Sequence, residues 1–246
     1  MITRSQMALA VPLCALLAAV GCSRGAAHGA RQTAAVIQPE PREATSDSLR
    51  ALRGEYDQLN VSDGRLAPGA ARLRGRPVGI ASYDGDGNGY ARGLRRVRWE
   101  TGETVRYGIN LYLPVGFRNR VQGQVDLMRW DNWPERGDNA DWGGISIWGG
   151  DRRARLLRFN RGADEDVLLG PFDLPEGRWF RLTVVQRLGG ERGASEVFLD
   201  GRKVGRSVAP TTYGRRIVRV RYGLVAVDSS RQRRPLHLAF AAPSGR

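Results

Sequence analysis

Residues 176–208 read EGRWFRLTVVQRLGGERGASEVFLDGRKVGRSV, and this stretch decides the fold class. Phe180, Leu182 and Val184 alternate with Arg181, Thr183 and Val185, the period of a strand that buries one face. Gly189-Gly190 breaks the run. Glu196 to Leu199 then meets Asp200-Gly201, a hairpin dipeptide, because both central positions of a type I′ turn need a positive φ. Lys203 to Val208 is the returning strand. Residues 103–117, ETVRYGINLYLPVGF, repeat the pattern: Tyr107, Ile109, Leu111 and Leu113 alternate until Pro114, which has no N–H for a ladder, ends the strand.

The same signature recurs outward from these two stretches, at 78–83, 94–100, 121–130, 143–148, 154–159, 166–172, 217–227 and 236–242, with Gly, Pro, Asn and Asp clusters between. No long helical period interrupts it and no internal repeat is present. Many short strands separated by turn signals imply an all-β domain of two antiparallel sheets.

The N-terminus has a different character. Arg4 precedes an apolar run, Met7 to Val20, which is shorter than the about 20 residues a membrane span needs and suits a signal peptide. Ala19-Val20-Gly21-Cys22 resembles a bacterial lipobox, with Ala19 where Leu is usual. The expectation is a signal peptide at 1–21, a lipid on Cys22 and a place at the cell envelope, outside the cytoplasm. The other cysteine, Cys14, lies within the apolar run, so the mature chain would hold no disulfide. Residues 22–76 are rich in Ala, Gly, Arg, Pro and Ser, and read as a tether with a short helix within Ser48 to Leu59. Residues 77–246 read as the folded domain.

The chain carries a net charge of +14, and residues 1–21 contribute only Arg4 to it, so +13 remains after cleavage. Of 39 Lys+Arg, Lys203 is the one lysine. A surface this basic favours acidic partners: anionic lipid, acidic polysaccharide or nucleic acid. The extracytoplasmic address argues against nucleic acid.

The strand order and its motifs resemble the concanavalin A-like jelly rolls, in which a Trp opening a long strand (here Trp179) precedes a strand and an Asp-Gly hairpin. Within them the chain is similar to polysaccharide lyases related to heparin lyase I and glucuronan lyase. Arg106 to Pro114 with Phe117 matches one family strand, and Val220-Arg221-Tyr222-Gly223-Leu224-Val225 matches the last. The resemblance implies a jelly-roll sandwich and a glycan partner. It also implies a base (His or Tyr) and a Gln that neutralises the uronate, since elimination needs both proton abstraction and charge withdrawal. The sequence departs from this pattern. Arg129 and Asp131 stand where the family has Gln and a base, and Val225 where it has Tyr. The histidines are His28, in the tether, and His237, in the last strand.

Alternation puts Gln122, Gln124, Asp126 and Trp130 on one polar face, with Val121, Val125 and Leu127 opposite; Arg129 joins the apolar side unless the strand bulges. Trp133 and Trp142 sit in the loop DNWPERGDNADWGG. Aromatic faces stack on sugar rings, and guanidinium forks match carboxylate or sulfate oxygens. The candidate glycan-binding residues are therefore Gln122, Gln124, Asp126, Arg129, Trp130, Trp133 and Trp142. A divergent lyase would use Tyr107, Tyr112 or Tyr222 as base. A structural envelope protein with no sugar site is the third reading. No cofactor is expected. The run from Asp84 to Gly89 resembles the start of a calcium loop at Asp84, Asp86 and Asn88, but its twelfth position is Arg95 rather than an acid, and an ion-free turn is the simpler expectation.

Overall fold

A computed structural model describes residues 46–85, 89–132, 141–160, 166–212, 216–227 and 231–242. Helix α1 (Ser46–Arg53) is followed by β1 (Gln58–Ser62), β2 (Gly64–Leu73), β3 (Arg76–Tyr83), β4 (Tyr90–Trp99) and β5 (Thr104–Tyr112). The helical turn α2 (Phe117–Arg120) leads to β6 (Gln124–Asp131), β7 (Asp141–Trp148), β8 (Arg153–Asn160) and β9 (Asp166–Phe172). Then come β10 (Trp179–Arg187), β11 (Ala194–Leu199), β12 (Arg202–Ser207), β13 (Ile217–Val227) and β14 (Leu236–Ala241). They form two seven-stranded antiparallel sheets, a front sheet β1-β4-β13-β6-β7-β8-β9 and a back sheet β12-β11-β10-β5-β14-β3-β2. This is a jelly-roll sandwich.

The deciding stretches pair as their patterns require. Tyr107, Ile109 and Leu111 of β5 lie opposite Val184, Leu182 and Phe180 of β10, and all six are buried. Asp200 and Gly201 close the β11–β12 hairpin with φ of 51° and 82°. The front sheet contributes Val125, Leu127, Met128, Trp130, Ile145 and Ile147 to the same core. One polar knot ties the sheets inside it. Gln186 Oε1 accepts hydrogen bonds from Tyr107 Oη (2.5 Å) and Trp130 Nε1 (3.1 Å), while Gln186 Nε2 donates to Ser195 Oγ at 2.9 Å. A buried glutamine satisfied on both ends costs little and fixes one packing of the sheets.

The expected tether is corrected by the structure. Residues 58–73 are edge strands: β1 pairs with β4 and β2 with β3. Edge strands are held chiefly by backbone hydrogen bonds on one side, so a count of large apolar residues does not register them. Between α1 and β1, Tyr56 inserts into the core against Tyr222 and Phe240, with ring centroids 6.1 and 5.8 Å away. Leu52 of α1 is fully buried, and Glu55 takes Arg76 and Arg95. The folded domain thus starts well before Pro77. The signal-peptide segment, Cys22 and His28 lie outside the described residues. Among the described residues no helix is long and apolar enough to cross a membrane.

Candidate functional site

The front sheet turns a polar surface outward, and a bulge in β6 sets its composition. Register slips between Asp126 and Met128, so Leu127 and Met128 both point into the core. The extra residue shifts the phase of everything after it. Gln124, Asp126, Arg129 and Asp131 therefore share the outer face, and Trp130 does not. Trp130 is fully buried on Gln186, a correction to its expected place on the polar face.

Around this strand the neighbours bring further arginines. Arg221 of β13 lies opposite Arg129, and Arg219 opposite Asp131. Asp131 is fully buried between them: Arg219 Nε stands 3.0 Å from Oδ1 and Arg221 Nη2 stands 2.9 Å from Oδ2. Arg92 of β4 donates from Nη1 to the Val225 carbonyl at 3.0 Å and lies over the Tyr90 ring, 3.8 Å from its centroid. Asp126 accepts from Ser146 Oγ (2.5 Å) and Gln124 Nε2 (3.1 Å), and Arg129 Nη1 reaches it at 3.5 Å. Among the described residues four guanidinium groups thus surround two carboxylates.

The electrostatics follow from that imbalance. Burial, with the charges of Arg92, Arg129 and Arg219 adding to it, holds the Arg221 pKa down to about 10 although Asp131 pulls it up. Arg92 is lowered as well, first by burial and then by Arg129 and Arg219. The Nε–H groups of Arg92, Arg129 and Arg221 are buried with no acceptor among the described residues. Those three buried N–H groups and the surplus of cations over carboxylates among the described residues give this face the chemistry of an anion acceptor.

Aromatic rings adjoin the cluster. Arg129 lies over Trp142 at 4.3 Å, and Trp142 stacks on Phe159 of β8 with centroids 5.4 Å apart. Farther along β7, Arg155 lies over Trp148 at 4.4 Å. Ring and cation are thus prearranged side by side.

The other expected residues fall elsewhere. Gln122 precedes β6, and its Oε1 accepts from the backbone N–H groups of Arg233 and Arg234 at 2.8 and 3.1 Å, so it belongs to the loops. Tyr107 and Tyr222 are core residues. Burial pushes the Tyr222 pKa up to about 12 and Tyr107 upward as well. Tyr112 is buried against Trp179 in a separate apolar cluster on the back sheet. None of the three reaches the polar face, which corrects their expected role as base. His237 is on β14 of the back sheet, its pKa lowered by desolvation and by Arg120. Asp84 is exposed and paired with Arg65, while Asp86, Asn88 and Trp133 lie outside the described residues. Among the described residues no three His, Cys, Asp or Glu side chains converge on a metal position. Sequence reasoning missed Arg92, Arg219, Arg221 and Tyr90. Alternation of Arg219 and Arg221 along β13 was the available signal.

No protein-family model matches the sequence, and no curated protein sequence matches it. Solved structures do match in fold. An endo-β-1,4-glucuronan lyase from the fungus Trichoderma reesei superposes with a TM-score of 0.59 at 15% identity, over 76% of this chain and 89% of that one. The alginate lyase vAL-1 from a Chlorella virus gives 0.54 at 12% identity, over 84% and 97%. A mutant of the alginate lyase Aly36B in complex with an alginate trisaccharide gives 0.53 at 9% identity, over 83% and 92%. The chain shares the sandwich fold of these three structures.

Proposed function

We propose that this chain is a cell-envelope lipoprotein, anchored through Cys22, whose front-sheet face binds an acidic, uronate-containing glycan without cleaving it. The observation that carries the reading is the cluster of Arg92, Arg129, Arg219 and Arg221, four guanidinium groups that gather around Asp126 and Asp131 among the described residues. Guanidinium groups suit carboxylate oxygens, and Trp142 offers a ring for the neighbouring sugar. Two of the fold relatives, a glucuronan lyase and an alginate lyase with bound alginate trisaccharide, are named for uronate polymers, in keeping with that substrate class. A non-cleaving role is favoured by the positions of Tyr107, Tyr112, Tyr222 and His237, all away from the face.

The test is to titrate the mature domain with glucuronan, alginate and a neutral β-glucan at rising salt, while following the ultraviolet absorbance of unsaturated uronate. The expected result is binding to the uronate polymers, weakened by salt because screening shortens the field to ~8 Å at physiological strength, with no absorbance change. Rising absorbance overturns the binding-only reading and makes Tyr90, the phenol packed beside Arg92, the first base to substitute. No binding to any polymer points to a structural role. Equal binding to every polyanion, abolished by moderate salt, leaves only a basic surface. Cys22→Ala is expected to release the protein from membranes washed at high salt, which screens the basic surface; a processed variant that stays membrane-bound after that wash rules the anchor out.

A further inference from the structure

A second charged surface lies at one end of the sandwich, where the β5–β6, β7–β8 and β13–β14 connections meet. Gln232 is fully buried there and locks two of them together: its Oε1 accepts from Gln122 N at 2.9 Å, and its Nε2 donates to the carbonyls of Arg120 (3.0 Å) and Arg234 (2.6 Å). Asn119 ties in the rest, accepting from Arg152 Nη1 at its Oδ1 (2.9 Å) and from Arg234 Nη1 at its carbonyl (3.4 Å). The loops form one braced platform.

The platform is densely cationic. Arg118 and Arg153 share Asp173, Arg118 also reaches Glu176, and Asp151 is taken by Arg155. Arg120, Arg152, Arg231, Arg233 and Arg234 are exposed and have no carboxylate partner among the described residues. In the same β5–β6 connection Val115 is 82% exposed, the most open of the large apolar side chains. No aromatic side chain is exposed on these connections. The chemistry of these five arginines differs from that of the front-sheet cluster: each is exposed, and among the described residues no aromatic ring lies against any of them. Spread, solvated charge, with an exposed aliphatic side chain on one of the same connections, fits a surface of many anions over an apolar layer.

We propose that this end docks on an anionic lipid membrane, with Arg120, Arg152, Arg231, Arg233 and Arg234 at the headgroup phosphates and Val115 at the acyl boundary. The inference is independent of the glycan site. Each arginine near an anionic leaflet strengthens partitioning about fivefold, so the removal of three weakens it by ~100-fold.

The experiment is vesicle flotation of the full chain, comparing phosphatidylcholine alone with phosphatidylcholine containing phosphatidylglycerol. All forms share the apolar segment Met7 to Val20, so the readout is the increment that the anionic lipid adds. Wild type is expected to show a large increment. The triple variant Arg120→Gln/Arg231→Gln/Arg233→Gln is expected to lose ~100-fold of it. Val115→Asp is expected to reduce it as well, with uronate-polymer affinity unchanged in both variants. Far-UV spectra confirm that each variant is folded, which surface positions favour. An equal increment for wild type and the triple variant, or no increment in wild type, overturns the proposal. So does a triple variant that keeps its vesicle binding but loses the uronate polymer, which would assign this end to the glycan.

Discussion

Arg221 Nη2 stands 2.9 Å from Asp131 Oδ2 on the outer surface of a sheet, yet Asp131 is fully buried and Arg221 nearly so. Asp131 is therefore the counter-charge that lets Arg219 and Arg221 stand beside Arg92 and Arg129. Replacing it with Asn keeps the shape but leaves two desolvated cations facing two more. Asp131→Asn is expected to destabilise the fold by about 3–5 kcal/mol. In urea the unfolding midpoint should fall with little change in slope. Glu100→Gln removes the half-exposed pair with Arg216 and should cost under ~1 kcal/mol. Equal effects of the two changes would refute the role given to Asp131.

The buried phenols set an alkaline limit. Burial raises the Tyr222 pKa to about 12, and raises Tyr56 and Tyr107 in the same direction, against 10.0 for an ordinary phenol. Above pH 10 the unfolded chain sheds these protons while the native chain keeps them. Their contribution is complete below pH 10 and is lost as the pH climbs through the raised values. Arg221 acts in the opposite sense. Its folded pKa of about 10 lies below the ordinary 12.5, so the native state sheds that proton first and stability rises over the interval. Arg92, lowered too, acts in the same sense as Arg221; three phenols outweigh these two guanidinium groups, so net stability falls. Phenolate absorbance and far-UV ellipticity, recorded together, should show these tyrosines ionising only as the sheets melt. Reversible titration of all seven tyrosines near pH 10 with the sheets intact would contradict this.

Gln186 gives a prediction about the core. Gln186→Leu matches the site in size but strands the Tyr107 hydroxyl and the Trp130 indole N–H, each worth about 1–3 kcal/mol when buried without a partner. Equilibrium unfolding should show a loss within the sum of those two ranges. Adding Tyr107→Phe to Gln186→Leu should recover part of it, because one stranded donor is then gone. A neutral Gln186→Leu would mean that water or repacking replaces the knot.

How much of this was legible follows from which physical signal each element carries. Strands such as β5 and β10 bury one face, and the period of Tyr107, Ile109 and Leu111 against Phe180, Leu182 and Val184 announces them. β1 and β2 are held by backbone pairing at the sheet edges, which leaves almost no side-chain signature. The β6 bulge defeated simple alternation: one extra residue carried Arg129 outward and Trp130 inward, although nothing in Asp126-Leu127-Met128 marks the slip. Arginine abundance hid the rest of the cluster. Among 39 Lys+Arg no single guanidinium stands out until Asp131 is seen buried between Arg219 and Arg221. The tyrosines misled for a different reason, since a phenol in a strand reads the same whether its ring faces a ligand or the opposite sheet.

The last prediction separates charge from stacking on the front sheet. Among the described residues Arg92 has a carbonyl partner and the Tyr90 ring but no carboxylate in ion-pair contact, so Arg92→Gln removes a positive charge without breaking an ion pair. It should weaken uronate-polymer binding most at low salt and flatten the dependence of affinity on salt. Trp142→Ala removes the ring that lies under Arg129 and against Phe159. If a sugar stacks there, the loss should be about 1–2 kcal/mol, roughly tenfold in affinity, and nearly constant across salt concentrations. Trp142→Phe keeps a stacking face and should restore much of it. Isothermal titration at several salt concentrations resolves the two patterns. If both variants bind as wild type does, the glycan lies elsewhere. If Arg92→Gln alone matters, the face holds anions by charge and the ring is only packing for Arg129.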